Sequence, residues 1–161
     1  MKKYMSVLCM VGIIVLGVSF NVSAQQNQPL LYREITGFGG MTFGLYEEAV
    51  GGIALAFNLS PRFGLEGEGG AIFAKETKFN GSVNIVLNFG SGVSAFVPYF
   101  IGGGGVITNG GTDIAINTGL GAKIFIAYNV ALRADFRAYF MTEDGNIKDL
   151  ERVYGGMTFF F

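Results

Sequence analysis

The chain has 161 residues, enough for one domain, and a formal net charge of −1. Half of it is hydrophobic, only 14% is charged, glycine contributes 26 residues and phenylalanine 16, and there is no histidine or tryptophan. That composition is too apolar for disorder, too rich in glycine for a helical bundle and too weakly basic for nucleic acid.

The first segment reads as a secretory signal. Lys2 and Lys3 supply a positive start, "MSVLCMVGIIVLGVSF" an apolar run, and "VSA" ending at Ala24 a small-residue cleavage site. The run is short for a membrane span. The expected division is a cleaved signal peptide at 1–24 and a single domain at 25–161. Cys9, the one cysteine, precedes most of the apolar run. A lipid anchor is therefore not expected, and the mature chain forms no disulfide. Without Lys2 and Lys3 the mature chain keeps nine of the 11 basic residues against 12 acidic ones, a net charge of −3.

Beyond Ala24 no stretch reaches the roughly 20 apolar residues of a membrane helix. The pattern is alternation at period two, in blocks separated by turn signals. "EITGFGGMTF" (34–43) comes first, with its facing open. In "GIALAFNL" (52–59), Ile53, Leu55, Phe57 and Leu59 share a face against Ala54, Ala56 and Asn58. In "FGLEGEGGAIF" (63–73), Phe63, Leu65, Ala71 and Phe73 oppose Glu66 and Glu68. In "FNGSVNIVLNF" (79–89), Phe79, Val83, Ile85, Leu87 and Phe89 oppose Asn80, Ser82, Asn84 and Asn88. "FVPYFIGGGGVI" (96–107) is ambiguous, and its Pro98 suits only the start of a strand. "IAINTGLGAKIFI" (114–126) puts Ile114, Ile116, Leu120, Ile124 and Ile126 together. In "VALRADFRAYF" (130–140), Val130, Leu132, Ala134, Phe136 and Phe140 oppose Arg133, Asp135, Arg137 and Tyr139. The last block, 152–161, carries Val153, Met157, Phe159 and Phe161 on one face.

These blocks predict eight strands. The breaks alternate in kind. "SPR", "GSGVS" and "YN" are tight, whereas "GLYEEAVG", "AKETK", "TNGGTD" and "MTEDGNIKDL" are longer or more charged. Tight turns at one end and longer loops at the other describe a series of membrane hairpins. The fold expected is all-β, an eight-stranded antiparallel up-and-down transmembrane β-barrel.

Size decides which face is the inside. An eight-stranded barrel has room only for side chains. The phenylalanines are too bulky to share that space, and the opposing small and polar set fits. Glu66, Glu68, Lys123, Arg133, Asp135 and Arg137 then form a lumen ion network, with strands three and seven facing each other. Charges left unpaired there would cost several kcal/mol each, so a balanced set is what a plugged interior requires. Phe57, Phe63, Phe89, Phe159 and Phe161 fall beside tight turns, and Phe43, Phe73, Phe79 and Phe140 beside long loops. Two aromatic girdles around an aliphatic band suit the two interfaces of a bilayer.

"YGGMTFFF" resembles the C-terminal assembly signal of bacterial outer-membrane β-barrels, with Tyr154, Gly156, Phe159 and Phe161 at its positions. Phe160 departs from that pattern by being aromatic on the lumen side. With "GLGAKIFIAYNVALRADFRAYF", the chain from about 30 to 161 resembles the small OmpA/OmpX-like outer-membrane β-barrel domain family of Gram-negative bacteria. The outer loops look too short for the tall sheet extensions of adhesive members. The resemblance implies an integral outer-membrane location, contact with outer-membrane lipids, and recognition of the terminal signal by the barrel-assembly machinery. A monomer is expected, with no nucleic-acid partner.

Outer-membrane enzymes of this architecture resemble one another in using a catalytic histidine, which this chain lacks. No catalytic, cofactor-binding or metal residue is assigned, and no cofactor is expected. "GGGG" at 102–105 lacks the Lys-Ser/Thr of a phosphate loop. Two readings follow: a plugged barrel with a structural, envelope or surface-contact role, or a narrow channel or carrier for small or apolar solutes. The charged stretch "MTEDGNIKDLER" is expected to be the longest outer loop.

Overall fold

The computed structural model describes residues 33–44, 47–90, 94–108, 111–143 and 146–161. The expected signal peptide, Cys9 and the first residues of the mature chain lie outside them. Eight antiparallel strands close on themselves in chain order: β1 (Arg33–Gly44), β2 (Ala49–Asn58), β3 (Phe63–Phe73), β4 (Lys78–Asn88), β5 (Phe96–Thr108), β6 (Thr112–Ala127), β7 (Val130–Glu143) and β8 (Asn146–Phe160). β1 closes the barrel on β8, from Glu34↔Phe160 to Gly44↔Leu150. Closure pairs every strand on both sides, which removes the unpaired sheet edges that a bilayer does not tolerate.

The period of two becomes inside and outside. Ile53, Leu55, Phe57, Phe79, Val83, Ile114, Ile116, Leu120, Phe159 and Phe161 are exposed on the outer wall. Glu66, Glu68, Arg133, Asp135 and Arg137 are buried in the lumen. The two strands whose facing was open are now assigned. β1 turns Glu34, Thr36, Phe38 and Thr42 inward, and β5 turns Tyr99, Ile101 and Ile107 inward. Pro98 is the third residue of β5, and its carbonyl accepts a hydrogen bond from the Phe89 N–H at 2.8 Å.

Two expectations change. The stretch "MTEDGNIKDLER" is largely strand: β7 runs to Glu143, β8 starts at Asn146, and these residues pair with each other. Charge suggested a solvated loop, but the ladder is made by backbone groups, which pair whatever the charge of the side chains they carry. The lumen is also not polar throughout. Below the long loops, Val50, Ile72, Ile107, Met141 and Leu150 join Phe38, Ala115, Tyr139 and Tyr154 in an apolar cluster. A face that points inward at a narrow end is buried whatever its polarity, so apolar residues there gain from leaving water.

Candidate functional site: the ion network of the lumen

The lumen cluster grows from alternation on β3, β7 and β8. Glu66 and Glu68 are two residues apart on β3, so both point inward. Arg133, Asp135 and Arg137 do the same on β7, and Arg152 and Tyr154 on β8. All seven are buried.

Arg137 is the hub. Its three nitrogens reach three carboxylates: Nε meets Asp135 Oδ1 at 2.9 Å, Nη2 meets Glu66 Oε1 at 2.8 Å, and Nη1 meets Glu68 Oε2 at 3.0 Å. Arg133 bridges Glu66 Oε2 at 2.5 Å and Asp135 Oδ2 at 2.9 Å. Arg152 grips Glu68 with a fork, Nη1 to Oε1 at 2.6 Å and Nη2 to Oε2 at 2.9 Å. Three carboxylates thus face three guanidiniums, and the formal charge of the cluster is zero. Two phenols complete it. Tyr99 and Tyr154 each donate to Asp135 Oδ2, at 2.6 and 2.8 Å, and each accepts from an arginine. Arginine suits this role because its rigid fork satisfies several acceptors at once.

Two close approaches depend on glycine. A Cβ at Gly121 would collide with the hydroxyl end of Tyr99, so the missing side chain lets this phenol cross β6 to reach Asp135. A Cβ at Gly52 would lie 2.6 Å from Cζ of Phe38, whose ring fills the lumen there and packs on Tyr154 with centroids 4.6 Å apart.

Of the residues that the sequence pointed to, five meet in this cluster: Glu66, Glu68, Arg133, Asp135 and Arg137. Lys123 does not join their ion pairs. It binds Glu34 instead, with Nζ at 2.6 Å from Oε2, and its Nζ lies 5.5 Å from the centroid of the Tyr99 ring. Lys123 Nζ also donates to Glu34 Oε1 at 2.8 Å, and Asn58 Nδ2 donates to that same oxygen at 2.6 Å. Below this pair Phe160 and Phe125 face each other across 4.9 Å, so the aromatic residue that departs from the terminal pattern caps the lower lumen.

Sequence reasoning missed Glu34, Tyr99 and Arg152. Arg152 was legible, since it precedes the outward Val153 and must point the opposite way. Glu34 and Tyr99 were hidden because inward Phe38 and Ile101 blur the alternation on their strands. Among the residues of the terminal pattern, Tyr154 belongs to the ion network and Gly156 packs under Phe38, while Phe159 and Phe161 stand on the outer wall.

No protein-family model and no curated protein sequence matches the chain. Solved structures do. The N-terminal β-barrel domain of Pseudomonas aeruginosa OprF superposes with a TM-score of 0.69 at 19% identity, over 80% of this chain and 96% of that one. Neisserial surface protein A, NspA, superposes with a TM-score of 0.60 at 12% identity, over 80% and 96%. The outer-membrane enzyme PagL superposes with a TM-score of 0.57 at 13% identity, over 80% and 99%. With eight strands, a closed sheet and an apolar outer wall, this chain has the fold of the small outer-membrane β-barrels of the OmpA/OmpX type.

Proposed function

We propose that this chain is an integral protein of a bacterial outer membrane whose barrel is plugged, serving envelope structure or surface contact and not catalysis. The carrying observation is the closed set of ion pairs that joins β3 to β7 and β8 across the lumen. A path for solutes would have to break pairs buried on both sides, and leaving one member unpaired costs about 3–5 kcal/mol. The apolar cluster above and the Phe125–Phe160 pair below narrow the route further.

PagL shares the fold and is an enzyme, so architecture alone does not decide about catalysis. The absence of histidine from all 161 residues supports the non-catalytic reading. So does the burial of the carboxylates, each of which is already held by arginines. The outward band of isoleucine, leucine, valine and phenylalanine supports contact with outer-membrane lipids. Tyr154, Gly156, Phe159 and Phe161 are proposed as the signal for the barrel-assembly machinery, and 25–161 as one monomeric domain.

Planar-bilayer recording tests the plug. The refolded protein is expected to give no steady conductance above the bare bilayer. Large, stable steps that scale with protein added would overturn the plugged reading in favour of a narrow channel.

A further inference from the structure

The outer wall is not evenly covered. On β2, β3 and β4 a groove of about 660 Å³ runs over Gly67, Gly69 and Gly81, with Leu55 and Phe57 on one side and Val83 on the other. The register makes it continuous: Gly67 pairs with Leu55 and with Val83, and Gly69 pairs with Gly81. A Cβ at Gly67 or Gly69 would meet nothing within 4 Å, so the floor is bare for want of side chains and not because the backbone demands glycine.

Two exposed arginines stand at the tight-turn end of this groove. Arg33 alternates with the inward Glu34, so it leaves the outer wall, and it lies directly opposite Phe57 in the β1–β2 register. Cross-strand neighbours on one face are about 5 Å apart at Cβ. Arg62 ends the β2–β3 turn, where its carbonyl accepts from the Asn88 N–H at 2.9 Å and places it between β3 and β4. Phe161, whose N–H bonds the Arg33 carbonyl at 3.1 Å, lies on the β8 side of Arg33, away from the groove. The tight turns contain no acidic side chain, and Glu34 is buried with Lys123. At the opposite end Glu47, Glu76 and Asp149 are exposed beside Lys75. An anionic headgroup is therefore drawn to the tight-turn end and repelled from the other. Depth also matches. Gly69 stands seven residues from Arg62, and at about 3.3 Å per residue and a tilt of about 40° that is roughly 17 Å of depth. One leaflet supplies about 15 Å of hydrocarbon.

We propose that this face is a site for one anionic phospholipid of the leaflet on the tight-turn side, with its phosphate held by Arg33 and Arg62 and an acyl chain laid in the groove over Gly67 and Gly69. A guanidinium fork matches phosphate oxygens in pairs. No acidic side chain stands there to hold an ammonium group, so a headgroup of net negative charge is preferred to a zwitterionic one. The acyl chain covers backbone that the glycines leave bare. The site rests on the reading that the outer wall faces lipid, and it is independent of whether the lumen is plugged.

The chain has no tryptophan, so one placed by substitution reports its own lipid neighbours. Phe57→Trp puts the probe beside the groove, and Leu132→Trp puts one on the outer wall of β7, across the barrel. Each protein is refolded into phosphatidylcholine vesicles with a minor share of phosphatidylglycerol, with bromines carried on the acyl chains of one lipid or the other. For Phe57→Trp, quenching by brominated phosphatidylglycerol is expected to exceed that lipid's share, with a local enrichment of about fivefold, the factor that one interfacial arginine contributes toward anionic lipid. For Leu132→Trp it is expected to match the share. The excess is expected to vanish in Arg33→Gln combined with Arg62→Gln, two exposed residues outside the ion network, and in Gly67→Leu, which fills the groove. Quenching of Phe57→Trp in proportion to the share, or an excess that survives either change, would overturn the proposal. Quenching by neither brominated lipid would overturn the membrane reading itself, and the proposal with it.

Discussion

Arg137 and Glu68 show how much a single lumen side chain carries. Arg137 touches three carboxylates, and Glu68 is shared by Arg137 and Arg152. Such pairs add little net stability when intact, because two desolvated charges offset their own attraction, yet removing one partner strands the other. Glu66→Gln combined with Glu68→Gln keeps the shape but deprives the arginines of two of their three acids. It is expected to destabilise the barrel by about 3–5 kcal/mol or more, read as a lower midpoint in urea or heat. An unchanged midpoint would show that the network is not formed in solution. Gly121 makes a separate prediction. Gly121→Ala pushes Tyr99 off Asp135 or moves β6 from Ala134, where the added carbon would stand 2.7 Å from the carbonyl oxygen. Crowding of this kind costs about 1–3 kcal/mol, and the combination of Gly121→Ala with Tyr99→Phe should recover little, since the ring still clashes.

At the scale of the strand, the two faces obey opposite rules. Val83 lies in the middle of β4, opposite Gly67 and Gly104, and is 69% exposed on the outer wall. In water such exposure would be neutral for an arginine. In the centre of a bilayer Val83→Arg is expected to cost about 2–4 kcal/mol, measured by urea titration of folding into lipid vesicles. A cost near zero would argue against that wall facing lipid. The β7–β8 hairpin teaches a different lesson. Its charged tip stretch continues the ladder to Glu143↔Asn146, so composition did not show where pairing stops.

The described residues form a closed sheet, and closure makes unfolding cooperative. Opening any one seam exposes backbone groups on two strands, and in a membrane or micelle nothing replaces those hydrogen bonds. Unboiled protein in detergent gels is therefore expected to migrate as a compact species and to shift on boiling. Identical migration before and after boiling would contradict a closed barrel. The same closure gives the lumen its layers: the Lys123–Glu34 pair over Phe160 and Phe125, then the arginine–carboxylate cluster, then the apolar cap.

Strand number, strand order and the sense of the two faces were legible in the sequence because each rests on a local signal. Period two, turn chemistry and the size of phenylalanine against a narrow interior need no knowledge of distant residues. β3 was read to the residue, since Glu66 and Glu68 stand in strict alternation with Leu65, Gly67 and Gly69. The partners of each charge were decided only by tertiary structure. Glu34 takes Lys123, and Glu68 takes Arg152, because strands far apart in sequence become neighbours across a lumen only a few side chains wide. Alternation states which side a residue faces; the tilt and closure of the sheet set the height at which it meets its counterpart, and no local pattern encodes that height.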